Sequence, residues 1–204
     1  MMTDNLDFYN AQLQVKHREV WNSPWIVDHA VIWMQNLDLS INEKLLSDIA
    51  NGYEGGFDNP VSGYTKDEFL SKYDDVIYRF LDRWNELFHD PKFSDVRPGD
   101  DQPALGNPQK KLAWNRIYKK GEECKLHNHT DNVGKISFSV VHFLKLDKDH
   151  PQLYFQLGPE RIDILDFREN DVVIFPSVIP HGVDPNPLDS ERIAFIFDFT
   201  VDIV

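Results

Sequence analysis

The spacing of apolar residues changes part-way along the chain. In the first half they recur three and four positions apart: Ile41, Leu45 and Ile49, then Phe69, Tyr73, Val76, Ile77, Phe80, Trp84 and Leu87. That period lines one face of an α-helix. Ser40 with Glu43, and again Thr65 with Glu68, form the capping-box pattern, in which a hydroxyl and a carboxylate satisfy free N–H groups of a first turn. Asn51-Gly52 closes the first run, and the second stops before Pro91, which has no N–H to donate. The aromatic stripe of the second helix is predicted to be core packing rather than a binding surface.

From Asp90 to Lys111, four prolines (Pro91, Pro98, Pro103 and Pro108) are mixed with Gly and Asp. This is loop composition, either a linker or a lid over a pocket. Beyond it the apolar period shortens to two. Predicted strands cover Leu112–Lys119, Ile136–Leu146, Leu153–Gln156, Ile162–Leu165, Asp171–Phe175 and Ile193–Thr200, joined by short turns such as 147–149 and 185–189. Many short strands at this spacing indicate a β-sandwich or barrel. The 204 residues suit a single domain, helical over 1–90 and strand-rich over 112–204.

Charge narrows the partners. The chain has 34 acidic and 21 basic residues, a net charge of −13, and such a surface disfavours nucleic acid. A small molecule or a peptide, neutral or cationic, is easier to accommodate. The one cysteine, Cys124, allows no internal disulfide and points to a reducing, cytoplasmic setting. The start Met1-Met2-Thr3-Asp4-Asn5 lacks the basic and apolar regions of a signal peptide. No apolar run approaches the ~20 residues of a membrane span, so no membrane association is expected.

The chemistry is concentrated in two segments. His127-Asn128-His129-Thr130-Asp131 is followed about 50 residues later by Phe175-Pro176-Ser177-Val178-Ile179-Pro180-His181, and then by Arg192. Alternate residues of an extended chain share a face, so His127, His129 and Asp131 can converge, with His181 arriving from a distant strand. Pro176 and Pro180 restrict the backbone that carries His181. Two imidazoles and a carboxylate leave half of an octahedral ion open to substrates, the ligand set of a non-haem iron(II) centre. Zinc would accept the same donors but has no redox chemistry. Arg192 stands 11 residues after His181, at the head of the apolar run Ile193–Phe199. A guanidinium in such company needs a carboxylate, from an internal acid or, as expected here, from a bound dicarboxylate.

With these residues in place, the stretch from Trp114 to Thr200 resembles the 2-oxoglutarate and iron(II)-dependent oxygenases. Tyr118-Lys119-Lys120-Gly121 is similar to the strand leading into the metal motif of prolyl 4-hydroxylases and alkylation-repair demethylases. Asp171–Ser177 through His181-Gly182-Val183 matches the second half of the family, and small hydroxylase-like proteins of phages and bacteria share the H-x-H and F-P-S…H elements. Asn170 stands where relatives carry Gly, and Asn also tolerates a left-handed backbone. The resemblance implies a mainly β (α+β) protein: a double-stranded β-helix, or cupin-like jelly roll, over 112–204, with N-terminal helices packed on its outer sheet. It also implies Fe(II) as metal, 2-oxoglutarate as cosubstrate gripped by Arg192 and lined by Tyr118, and O2 as oxidant. The products would be succinate, CO2 and a hydroxylated protein side chain or small metabolite, made in the cytoplasm, that of a host cell if the chain is phage-encoded.

Two ligand registers are open. His129, Asp131 and His181 are the preferred set, because a carboxylate lowers the net charge of the site and favours iron(II), with His127 behind the metal or facing substrate. Counting six residues from Gly121 instead makes His127 the first ligand and puts His129 where the carboxylate belongs. That second set, His127, His129 and His181, also fits a cupin-type metalloprotein with no need of 2-oxoglutarate, although Val133-Gly134 lie where cupins carry Glu. His142 is a candidate for the cosubstrate's other carboxylate or a plain core histidine. Cys124 is read as a small residue beside a strand, and His17, His29, His89 and His150 have no partners at ligand spacing.

Overall fold

The computed structural model describes residues 33–36, 39–52, 62–89, 105–129, 136–163 and 167–203. Among these residues three helices, α1 (Leu39–Ala50), α2 (Lys66–Leu70) and α3 (Asp74–His89), accompany nine strands. The strands are β1 (Trp33–Asn36), β2 (Leu105–Tyr118), β3 (Cys124–His127), β4 (Ile136–Lys145) and β5 (Leu153–Leu157), then β6 (Glu160–Asp163), β7 (Asp171–Pro176), β8 (His181–Val183) and β9 (Arg192–Ile203). They form two antiparallel sheets, ordered β1-β7-β4-β9-β2 and β3-β8-β5-β6.

Strict alternation along the central strands divides the core in two. On β9, Ile193, Phe195, Phe197, Phe199 and Val201 join Phe138, Val140, Leu144, Val172 and Ile174 in one buried cluster, which also contains the aromatic stripe of α2 and α3. The Phe138 ring meets Phe80 at 5.0 Å, Trp84 at 5.1 Å and Phe199 at 5.2 Å. Each such buried ring contributes roughly 1.5–3 kcal/mol by leaving water. The stripe is therefore core. The intervening residues Val141, Phe143, Val173, Phe175, Ala194 and Ile196 face the other way, onto Leu153, Phe155 and Val183 of the smaller sheet. The functional residues lie in this layer between the sheets.

Several boundaries differ from the sequence-based expectation. Residues 105–111 belong to β2 and are not loop. β2 lies at the edge of its sheet, and its register against β9 shifts on both sides of Pro108, so the missing proline N–H breaks no regular ladder. Residues 90–104 lie outside the described residues. The first ninety residues also supply a strand, β1, paired with β7. Ser40 sits in the first turn of α1, which begins at Leu39. The Thr65–Glu68 capping box is present, with Thr65 N donating to Glu68 Oε2 at 2.9 Å. The long helix that follows is interrupted by a tight turn at Ser71–Tyr73, where the Ser71 hydroxyl donates to the Glu68 carbonyl at 2.7 Å. β6 begins at Glu160, earlier than expected, because Gly158 (φ 63°) and Pro159 turn the chain in two residues. Asn170 does adopt the left-handed conformation, at φ 74°. Among the described residues no helix is long and apolar enough to cross a membrane.

Candidate metal centre

β3 and β8, both too short to show a period in the sequence, pair so that His127 stands directly opposite His181. The chain beyond β3 stays extended far enough for the His129 N–H to donate to the Ser177 carbonyl at 2.9 Å. Three imidazoles therefore converge: the ring centres are 4.4 Å apart for His127 and His181, 5.1 Å for His127 and His129, and 5.2 Å for His129 and His181. Ligand-capable nitrogens of all three lie within 4.8 Å of one another. An ion ~2.1 Å from three nitrogens at right angles would set them roughly 3 Å apart, within reach of small ring rotations.

The tautomers follow from the neighbours. His127 Nδ1 donates to the Lys125 carbonyl at 2.8 Å and His181 Nδ1 to the Ile179 carbonyl at 3.0 Å. His129 Nδ1 lies 3.0 Å from each oxygen of Asp198. Carbonyls and carboxylates only accept, so each Nδ1 carries the proton and each Nε2 is left with its lone pair. The segment behind His181 is held by a turn, with Ile179 N donating to the Pro176 carbonyl at 3.0 Å and Gln156 N to the Pro180 carbonyl at 2.8 Å. Burial pushes the His181 pKa down to about 4, which keeps it neutral at physiological pH. His127 is raised above its usual value, chiefly by the Cys124 thiol 3.6 Å from its Nδ1 and against the effect of burial. Burial pushes the Cys124 thiol up, but His127, Tyr118 and Arg116 together bring it below its ordinary value.

The histidines line a cavity of about 260 Å³ with Tyr118, Arg192, Arg116, Trp114 and Cys124. Arg192 is 1% exposed, and its Nε has no hydrogen-bond partner. Its guanidinium lies over the rings of Tyr118 (4.8 Å) and Phe143 (5.4 Å), and no carboxylate pairs with it among the described residues. Among the described residues, then, no internal salt bridge holds it. Burial lowers the Arg192 pKa and pushes that of Tyr118 up to about 12, so the phenol stays a hydrogen-bond donor.

His127, His129, His181, Tyr118 and Arg192 are therefore brought together. Asp131 lies outside the described residues, as do the turn residues 132–135. His142 is not in the cavity. It faces the helices, fully buried, accepting from the Tyr73 hydroxyl at 2.9 Å and donating to Asn170 Oδ1 at 3.1 Å. His150 is likewise structural, accepting from Asp147 N at 2.7 Å and donating to the Ser190 carbonyl at 3.1 Å. Sequence reasoning missed Asp198 and Ser139, which face each other across β9 and β4 beside His129. The available signal was period two: Asp198 is six residues after Arg192 and must share its face.

No protein-family model matches the chain, and no curated protein matches it in sequence. Its structure does have counterparts. A prolyl-4-hydroxylase of Pseudomonas putida superposes with a TM-score of 0.52 at 16% identity, covering 84% of each chain. A prolyl hydroxylase of Trichoplax adhaerens, solved with a peptide fragment of the hypoxia-inducible-factor oxygen degradation domain, gives 0.52 at 13%, covering 93% of this chain and 88% of its own. HygX of Streptomyces hygroscopicus, solved with nickel and 2-oxoglutarate bound, gives 0.50 at 14%, covering 86% and 84%. The fold is the one shared by these two prolyl hydroxylases and HygX.

Proposed function

We propose that this protein is an Fe(II)- and 2-oxoglutarate-dependent oxygenase that hydroxylates a peptide side chain or a small metabolite. One observation carries the reading: a buried guanidinium with no anionic partner among the described residues shares a cavity with three converging imidazoles. A cation so placed is costly unless an anion arrives, and a dicarboxylate held at one end by Arg192 would occupy the cavity that the histidines also line.

His127, His129 and His181 fit a divalent metal by donor type, proximity and tautomer, and are the ligand set we favour. Iron bound there would supply the oxygen chemistry that converts 2-oxoglutarate, O2 and a C–H bond into succinate, CO2 and an alcohol. The chain's own residues bind and orient. Arg192 holds the distal carboxylate, Tyr118 adds a hydroxyl donor beside it, and Trp114, 5.8 Å from the His129 ring, walls the metal side. The peptide carried by the Trichoplax enzyme and the 2-oxoglutarate carried by HygX support a ligand of each kind here. A free Cys124 suits a reducing cytoplasm.

The cupin-type reading keeps one supporting fact, since the three histidines are its ligand set. It leaves Arg192 without a purpose. Anaerobic Fe(II) titration with and without 2-oxoglutarate separates the two. A visible charge-transfer band that needs both components supports the oxygenase, metal uptake without the band supports the cupin, and no uptake excludes both.

A further inference from the structure

Three imidazoles are neutral ligands, whereas the ligand set anticipated for iron(II) includes one negative charge. Among the described residues, no carboxylate joins the three histidines as a ligand. The nearest substitute is one ring away. Asp198 places both carboxylate oxygens 3.0 Å from His129 Nδ1, and its side chain is only 13% exposed. We propose that Asp198 is a positioning residue for the metal centre. It fixes the His129 ring and supplies, through the Nδ1–H bond, the negative charge that the histidines lack. This inference rests on His127, His129 and His181 being the metal ligands.

The surroundings of Asp198 are built for that task. Ser139 stands directly opposite on β4 and donates its hydroxyl hydrogen to Asp198 Oδ1 at 2.8 Å. With its only hydrogen committed there, Ser139 Oγ accepts from the Ser177 hydroxyl, 2.9 Å away, which in turn lies 3.2 Å from the Ser137 hydroxyl. A row of hydroxyl dipoles thus ends on the carboxylate, and each polarises the next. Ser177 also accepts the His129 N–H at its carbonyl, so one network anchors both the backbone and the ring of that ligand. A carboxylate hydrogen-bonded to a ligating histidine makes the other ring nitrogen a stronger donor. Among the described residues no such carboxylate stands behind the other two rings, whose Nδ1 atoms donate to backbone carbonyls. His129 becomes the distinctive ligand of the three.

The test uses the full chain and Co(II) as an oxygen-stable probe, read by calorimetry and by the visible absorption of the bound ion. Asp198→Asn keeps an acceptor for Nδ1–H but removes the charge. It is expected to weaken Co(II) binding on the order of 10–100-fold and to shift the absorption bands, with the melting temperature of the metal-free protein unchanged. Ser139→Ala is expected to weaken binding less, in the same direction, and serves if the Asp198 variant does not fold. Asp202→Asn, on the exposed end of the same strand, removes equal charge away from the site and leaves affinity as it was. Wild-type affinity and spectrum in both Asp198→Asn and Ser139→Ala, alongside loss of binding in His181→Ala, would overturn the role of Asp198 and leave the metal site standing. Wild type that binds Co(II) no better than His181→Ala overturns both.

Discussion

Tyr118 and Arg192 are direct partners across β2 and β9, and the Arg192 guanidinium lies 4.8 Å from the centre of the Tyr118 ring. The same ring carries the Arg116 guanidinium at 5.1 Å. Two cations bracket one tyrosine in a chain of net charge −13, and among the described residues the inner one has no acid to meet it. Such an arrangement sacrifices stability of the empty protein for affinity toward an anion.

Arg192→Met keeps the volume and removes the charge. The ligand-free variant should melt at or above the wild-type temperature, by up to about 1–3 kcal/mol of stability, because an unpaired buried cation is gone. Its thermal shift with 2-oxoglutarate should vanish. Differential scanning fluorimetry with and without 2-oxoglutarate checks both, and a clear loss of ligand-free stability would instead mark Arg192 as structural.

His142 gives the protein an acid limit. Burial holds its folded pKa at about 4, below the ordinary 6.5, so the unfolded chain binds the proton first as pH falls. Its neutral form suits the fold fully above pH 6.5. Stability is lost as pH drops from about 6.5 towards 4, at ~1.4 kcal/mol per unit and on the order of 3 kcal/mol in all. His181, also held near 4 by burial, acts in the same direction when no metal is bound. Urea unfolding of metal-free wild type and His142→Gln at pH 7 and pH 5 should show a smaller acid loss in the variant. Equal losses would rule out this contribution.

Gly182 sets the spacing of the histidine strands. A Cβ there would lie 2.5 Å from the Tyr154 hydroxyl, 2.6 Å from its Cζ and 2.9 Å from the Cys124 carbonyl. Relief requires β8 to move from β3, carrying His181 away from His127. Gly182→Ala should therefore destabilise by about 1–3 kcal/mol and weaken Co(II) binding together. The double variant Gly182→Ala/Tyr154→Ala should recover part of both, since the backbone contact remains.

The two ligand registers part company in a pair of variants. His127→Ala should lose at least the 10–100-fold in Co(II) affinity that removal of an outer partner already causes. Asp131→Ala should stay within a few-fold of wild type, a change worth under about 1 kcal/mol. The reverse ranking, read by calorimetry, would restore Asp131 to the ligand set in place of His127.

What could be read without the structure was local and periodic. The stripe from Phe69 to Trp84, the Thr65–Glu68 cap and the strands Ile136–Lys145 and Arg192–Ile203 each repeat with the period of their own backbone. Cys124–His127 and His181–Val183 do not, because strands of four and three residues hold at most two alternations, too few to mark a period. Pro108 argued for loop, since a proline is excluded only where both sides of a strand are paired, and an edge position is not written in the local sequence.

The sequence by itself determined the ingredients: a His-x-His and a distant His with an arginine behind them, at the head of an apolar strand. Only the tertiary structure decided how they combine. The pairing of β3 with β8 sets His127 against His181, and the pairing of β4 with β9 sets Ser139 against Asp198 behind His129. Among the described residues, burial then leaves Arg192 without an acid while giving His142 two neutral partners. Which charges meet depends on contacts between residues 50 to 70 positions apart, and no local pattern encodes those distances.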